Sequence, residues 1–235
     1  MGTFDEQSCS FEADQGSHDS TAGTGRNVML FGDSHAEQLI PPMQQLAARE
    51  GWNLRVETRS GCGVFGVSRD ALQQDADRCV EWSEQEVRAI ESDPTISTVV
   101  IVIRSDLVVG EPDPAPILSR LRDAGKQVIV FRDLPTVELF DAQGKRMTGP
   151  ACLAAQESRD DACSWEAAQD LDWLTAAAHQ LDIDVVDLQD LLCPDGTCHM
   201  ITGDLVVYTD DNHFTGTFAK SLTGWLQREL VPLVK

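Results

Sequence analysis

Asn27 to Gln38 reads NVMLFGDSHAEQ. Val28, Met29, Leu30 and Phe31 form a short, wholly apolar run that Gly32 closes. A continuous apolar run bounded by a turn signal suits a strand buried on both faces of a parallel sheet. A helical pattern follows, so the turn between them sits at the carboxyl end of a buried strand, where open α/β sheets place their ligands. Gly32 permits a sharp turn with no side chain in the way. Ser34 occupies that turn, beside the free N–H groups of a helix start. A serine held there can act as a nucleophile whose oxyanion is partly stabilised by its own N–H. The same residues admit a plainer reading, in which Ser34 or Asp33 only caps the helix. The string alone leaves both readings open.

Working outward, further strands are expected at Leu54–Thr58, Thr98–Ile103, Val128–Phe131 and Ile183–Asp187. Between them lie helical patterns. The first runs to about Glu50 with its apolar face on Leu39, Ile40, Met43, Leu46 and Ala47, and Pro41-Pro42 should kink it or delay its regular part. Others are expected at Val80–Ile90, Pro116–Ala124 with Gly125 as stop signal, Trp165–Leu181, and Gly216–Leu230. Strand–helix alternation implies a parallel sheet covered by helices on both faces. Residues 1–25, rich in Ser, Gly, Thr, Asp and Glu, read as a linker or extended arm ahead of a domain over 26–235. Thr136–Cys163 reads as a long polar excursion of the kind that carries specificity or forms lids. Cys193–Val207 reads as a small hairpin.

The chain has 235 residues and a formal net charge of −21. That charge repels nucleic-acid phosphates and anionic lipid, and it favours solubility. No run of 18 apolar residues is present, so no span of a bilayer is expected, and no signal-peptide pattern is seen. Neither a metal-ligand cluster nor a phosphate-binding loop occurs, so no metal or other cofactor is expected. Seven cysteines are present, none in a CxxC pair. Cys193 and Cys198 bracket the turn-forming string PDGT, and Cys152 and Cys163 bracket a polar loop. Such bracketing favours disulfides Cys62–Cys79, Cys152–Cys163 and Cys193–Cys198, with Cys9 left over, although sequence alone does not fix connectivity. Disulfides imply an oxidising, extracytoplasmic setting.

A second chemical signal lies near the other end of the chain. Asp210 and His213 stand three residues apart just before the last helix. That spacing can place both side chains on one side of a turn. A carboxylate there can hold the imidazole tautomer while the other ring nitrogen faces a serine. Asp211 is a competing partner with less suitable spacing. His18, His179 and His199 show no such constellation.

GDSH at Gly32–His35 and DDNH at Asp210–His213 resemble the first and last blocks of SGNH hydrolases. GDSHAEQL, the RSGCG loop, FRDLP at Phe131–Pro135, LLCPDGTC at Leu191–Cys198 and VYTDDNHFT resemble the SGNH domain fused behind the membrane part of acyltransferase-3 proteins. The resemblance spans roughly residues 26 to 232. It implies a flavodoxin-like three-layer α/β/α fold with a central, mostly parallel five-stranded sheet. It also implies a triad of Ser34, Asp210 and His213, with oxyanion donors at the N–H groups of Ser34 and of Gly61 or Cys62. One departure stands out. SGNH hydrolases carry a Gly-x-Asn-Asp block after the third strand, whose Asn is an oxyanion donor, and here that place reads IRSDL. Arg104 or Ser105 can substitute as a substrate-site group, or Arg104 can be a structural ion-pair partner. His35 reads as a packing or supporting residue.

By this resemblance the chain is expected to be an extracytoplasmic serine O-acyltransferase, with acetyl as the acyl group and a cell-envelope glycan or glycolipid as acceptor. The donor would be supplied by a membrane domain of the same full-length chain, upstream of residue 1. The rival expectations are a secreted carbohydrate esterase and a non-catalytic glycan-binding domain.

Overall fold

The computed structural model describes residues 23–66, 73–108, 112–155, 163–168 and 171–235. Cys9 and most of the expected arm lie outside them, as do 109–110 and 156–162 in the expected loops. Strand β1 (Asn27–Gly32) leads into a single helical turn, α1 (Ser34–Glu37), and then into α2 (Ile40–Glu50). Pro41 and Pro42 therefore begin a helix instead of interrupting one, since a first-turn proline gives up only an N–H with no intrahelical acceptor. Gly51 ends α2 in the left-handed conformation at φ 70°. After it come β2 (Asn53–Thr58), α3 (Gln73–Ser92), β3 (Thr98–Val102), α4 (Ala115–Asp123) and β4 (Gln127–Phe131). The last part of the framework is α5 (Trp173–Gln180), β5 (Asp184–Val186), α6 (Gly216–Ser221) and α7 (Thr223–Glu229).

The strands form one five-stranded sheet in the order β2-β1-β3-β4-β5, all pairs parallel. Their alternate residues feed two cores. Val28, Leu30, Val100, Val102, Ile129 and Phe131 pack with Met43 and Leu46 of α2 and with Phe218 and Leu226 near the carboxyl end of the chain. Met29, Phe31, Val99, Ile101, Val128 and Val130 pack on the other face with Val87 and Ile90 of α3, Leu118 and Leu121 of α4, and Leu174 and Ala178 of α5. This is the three-layer α/β/α arrangement expected. The three disulfides join the expected partners, Cys62–Cys79, Cys152–Cys163 and Cys193–Cys198.

Several local expectations are corrected. The helix expected over Trp165–Leu181 is confined to α5, where Asp172 caps the first turn by accepting the Thr175 N–H at 2.9 Å. Trp165 belongs instead to a short strand, Ser164–Glu166, paired antiparallel with Thr197–His199. Its indole is buried against Tyr208, with ring centroids 5.7 Å apart, and a long-range packing partner of this kind overrides local helix propensity. The hairpin expected over Cys193–Val207 is correspondingly shorter, Ile201–Thr202 against Leu205–Val206, with Gly203 in the turn. The polar excursion carries a small ladder, Leu139–Phe140 with Arg146–Met147, and a helix at Gly149–Ala155. The last helix is broken in two at Leu222, and α3 begins earlier than Val80.

Candidate active site

The chain leaves β1 for β2 on one side and crosses to β3 on the other, so the β1/β3 boundary is the topological switch point where such sheets open a crevice. Gly32 is the last residue of β1. A Cβ built on it would lie 1.8 Å from the Val102 carbonyl oxygen, so only glycine fits between these strand ends. Asp33 is the helix cap of the two residues considered: one carboxylate oxygen accepts the His35 N–H at 2.8 Å. Its other oxygen accepts the Arg104 N–H at 2.9 Å and ties the end of β1 to the end of β3. Burial pushes the Asp33 carboxyl up, against the pull of His35 and the two amides.

With Asp33 taking the cap, the Ser34 hydroxyl is free to turn to the opposite loop. Its Oγ lies 2.9 Å from His213 Nε2. His213 Nδ1 lies 2.8 Å from Asp210 Oδ2, and Asp210 Oδ1 accepts the N–H groups of Asn212 at 2.8 Å and His213 at 2.7 Å. Partial burial raises the Asp210 carboxyl, but these amides and the His213 ring outweigh it and hold it below the ordinary carboxylate range. Asp211, the competing partner, instead accepts the Asn212 side-chain N–H. The 209–214 loop is held from several sides: Thr209 N–H donates to the His213 carbonyl, Val137 N–H to the Asp211 carbonyl, and Phe214 N–H to Gln38 Oε1.

His35 lies at the centre of the support. It is 1% exposed. Nδ1 is 2.8 Å from Asp133 Oδ1, and Nε2 is 3.2 Å from Asn212 Oδ1. The Asn212 amide nitrogen faces Asp211, so its oxygen faces His35 as an acceptor. Both ring nitrogens of His35 therefore donate, which requires the imidazolium. Burial alone would lower its pKa, but the Asp133 carboxylate, aided by Asp33 and Asn212, raises it to about 9. Asp133 is in turn held low: burial opposes ionisation, but His35 and Ser105 prevail. Its second oxygen accepts both the N–H (2.6 Å) and the hydroxyl (2.7 Å) of Ser105, and Trp173 Nε1 donates to the Ser105 carbonyl at 3.0 Å. The His35 and His213 rings meet edge to face, 5.3 Å between centroids.

The remaining expected residues are placed as follows. The Arg104 guanidinium makes two bonds to Asp106, Nε to Oδ1 at 2.6 Å and Nη2 to Oδ2 at 3.2 Å. The Arg104 and Ser105 amides are spent on Asp33 and Asp133. In the loop after β2, the Arg59 N–H reaches back to the Gly32 carbonyl at 3.0 Å, and the Cys62 N–H closes a turn on the Arg59 carbonyl at 3.1 Å. Of the two loop donors expected, that leaves the N–H of Gly61, which is exposed and at φ 73°. The Ser34 N–H opens α1 and has no intrahelical acceptor. Asp133, Asn212 and Gln38 were not singled out by the sequence, because their partners are distant in it. The available signal was that each buried strand of this edge is followed by a small polar residue: Asp33, Ser105, Asp133. Among the described residues no group of three His, Cys, Asp or Glu side chains could hold a metal ion, and no described helix is long and apolar enough to cross a membrane.

Comparison with known proteins places this arrangement. No curated protein sequence matches the chain. Among solved structures, the periplasmic domain of a lipopolysaccharide acetyltransferase from Salmonella ser. Paratyphi A superposes with a TM-score of 0.65 at 12% identity, covering 91% of this chain and 86% of that one. The Bacillus subtilis protein YXIM gives a TM-score of 0.45 at 14% identity, over 88% of this chain and 56% of that one. The family model "SGNH domain (fused to AT3 domains)" matches residues 3–227. At that coverage the assignment is plain: the chain belongs to the family of SGNH domains that are fused to AT3 domains.

Proposed function

We propose that the domain is an extracytoplasmic Ser-His-Asp O-acyltransferase, acting through an acyl-serine on a cell-envelope glycan or glycolipid. The observation that carries the proposal is the continuous chain Ser34 Oγ–His213 Nε2, His213 Nδ1–Asp210, at 2.9 and 2.8 Å. His213 accepts the Ser34 proton as Oγ attacks the carbonyl carbon of an acyl ester. Asp210 holds the tautomer and stabilises the imidazolium that forms. The negative carbonyl oxygen faces the N–H groups of Ser34 and Gly61. Collapse breaks the ester bond, and His213 returns the proton to the departing alcohol. A glycan hydroxyl then gives its proton to His213 and attacks acyl-Ser34, releasing the glycan ester and the free serine. Fusion to AT3 domains in this family supports a donor delivered by a membrane domain of the same protein. The acetyl group is taken by analogy with the Salmonella domain. Three disulfides favour an oxidising compartment outside the cytoplasm.

A carbohydrate esterase is the second reading. It is favoured by the openness of the triad: the side chains of His213 and Asp210 are 29% and 43% exposed, so water reaches the acyl-serine. The test is mass spectrometry after incubation with an aryl acetate, alone and with envelope glycan. An acetylated Ser34 peptide and an acetylated glycan support transfer. Free acetate alone, from the full-length protein as well, gives the esterase reading. No modification of Ser34 by the ester or by a fluorophosphonate discards both.

A further inference from the structure

A cavity lies on the same sheet edge, beside the triad and outside it. It has a volume of about 310 Å³ and is lined where β4 ends, by Arg132 through Thr136 and Glu138, with Trp165 and Ala168 across from them. Ser105 and Asp133 form its wall toward the triad. Asp133 also holds the His35 ring, and Ser105 in turn holds Asp133. Ser34 follows β1, Ser105 follows β3 and Asp133 follows β4, three adjacent strands. Neighbouring strands are about 4.8 Å apart, so the near wall of the cleft stands roughly one strand from the nucleophile and the cleft itself roughly two. Two strands, roughly 10 Å, is within the reach of a short oligosaccharide when the ring being acylated sits over Ser34.

The lining suits a sugar ring. Leu134, Pro135 and the Trp165 edge offer apolar surface for ring C–H groups, while carboxylates and guanidinium groups supply acceptors and donors for hydroxyls. An acyl chain would have to desolvate those charges, which disfavours it. With Asp106 paired to Arg104, the lining still carries Glu138, Glu166 and Asp172 against Arg132 and Arg146. Arg132 is further neutralised by Asp187 at 3.0 Å. The field in the cleft is therefore negative, and it adds to a chain charge of −21. Phosphorylated or uronate-bearing sugars are repelled.

We infer that this cleft is the acceptor subsite, and that it takes part of a neutral saccharide, a nearby residue of which receives the acyl group at Ser34. The inference rests on the transferase reading, and it can fail independently of it.

The experiment uses the Ser34→Ala protein, titrated with neutral hexose di- and trisaccharides and with uronate-bearing counterparts, followed by amide NMR. Shifts are expected at 132–138 and 164–168 with the neutral series, and the uronate series should bind at least tenfold more weakly. Ala168→Trp and Glu138→Arg, both at exposed positions, should each weaken neutral binding at least tenfold. In the Ser34-containing protein they should lower the ratio of acylated saccharide to free acid by a similar factor. Shifts elsewhere, preference for the uronate series, or unchanged binding in both variants overturns the subsite. Saccharide binding at the cleft with no acylation of Ser34 upholds the subsite and removes the transferase reading instead.

Discussion

Ser34 Oγ and His213 Nε2 are 2.9 Å apart although 179 residues separate them in the chain. What brings them together is not a contact between their own elements alone. Asp33 fastens the end of β1 to β3, and Asn212, Val137 and Gln38 fasten the 209–214 loop around His35. Ser34→Ala and His213→Ala should each lower turnover of an aryl acetate by about 10⁴-fold or more. Asp210→Asn should cost about 10⁴-fold as well, by favouring the wrong tautomer. The Ser34→Ala melting temperature should stay within about 2 °C of the parent, since among the described residues the hydroxyl bonds only His213. Steady-state rates and calorimetry check both. A Ser34→Ala protein that keeps its turnover removes the serine from the chemistry.

His35 makes a separate claim on pH. Its folded pKa, about 9, lies above its ordinary value of 6.5. The stability it contributes is therefore complete below pH 6.5 and is lost as pH rises through about 9. Asp133 is depressed from 3.8, so its share is present above that value and lost in acid. The urea midpoint of the parent, minus that of His35→Gln, should hold level from about pH 5 to 6.5 and shrink toward pH 9. A difference that stays constant to pH 10 would contradict the doubly donating imidazolium. His35→Phe leaves the Asp133 carboxylate without its ring partner and should cost about 3–5 kcal/mol at pH 6.

How much of this was legible in the sequence divides along physical lines. The apolar runs of β1, β3 and β4 are buried on both faces, so their composition alone marks them as central strands. Ser34 and Asp-x-x-His were readable because each is a local string with its own chemistry. Trp165 was misread because its partners, Tyr208 and the Thr197–His199 strand, are set by tertiary pairing. Asp133 stayed hidden for a similar reason: it serves His35 and Ser105, 98 and 28 residues away. Arg104 was left open between substrate contact and ion pair, and the pair it makes is with Asp106, two residues on.

Gly32 is the backbone position on which the site most depends. A methyl there meets the Val102 carbonyl oxygen at 1.8 Å and Ala36 Cβ at 3.0 Å. Neither obstacle is a flexible side-chain end, so β1 and β3 must separate. Gly32→Ala should cost about 3 kcal/mol or more. Gly51→Ala provides the contrast, since its Cβ meets nothing within 4 Å and only the φ of 70° resists it. That cost should be about 1 kcal/mol. Denaturant midpoints of the two variants should rank in that order. Equal midpoints would mean that the strands give way more readily than their ladder implies.

The disulfides should separate by position. Cys62–Cys79 joins the loop carrying Gly61 to α3 across 17 residues, whereas Cys193–Cys198 closes 5 residues at the strand that pairs with Trp165. Loop-closure entropy gives about 3 kcal/mol for the first and about 2 for the second. Their effects on rate should differ far more than these energies. Replacing Cys62 and Cys79 by serine frees the loop that presents the Gly61 N–H, and a misplaced oxyanion donor typically costs about 10²–10³-fold. The same replacement at Cys193 and Cys198 should lower stability while changing aryl acetate turnover by less than about threefold, because that bridge has no contact with Ser34 and reaches the 209–214 loop only through Trp165 and Tyr208. Measuring kcat beside the urea midpoint for both double variants distinguishes the cases. If the two lose rate in proportion to their stability alone, the Gly61 loop has no special part in holding the oxyanion.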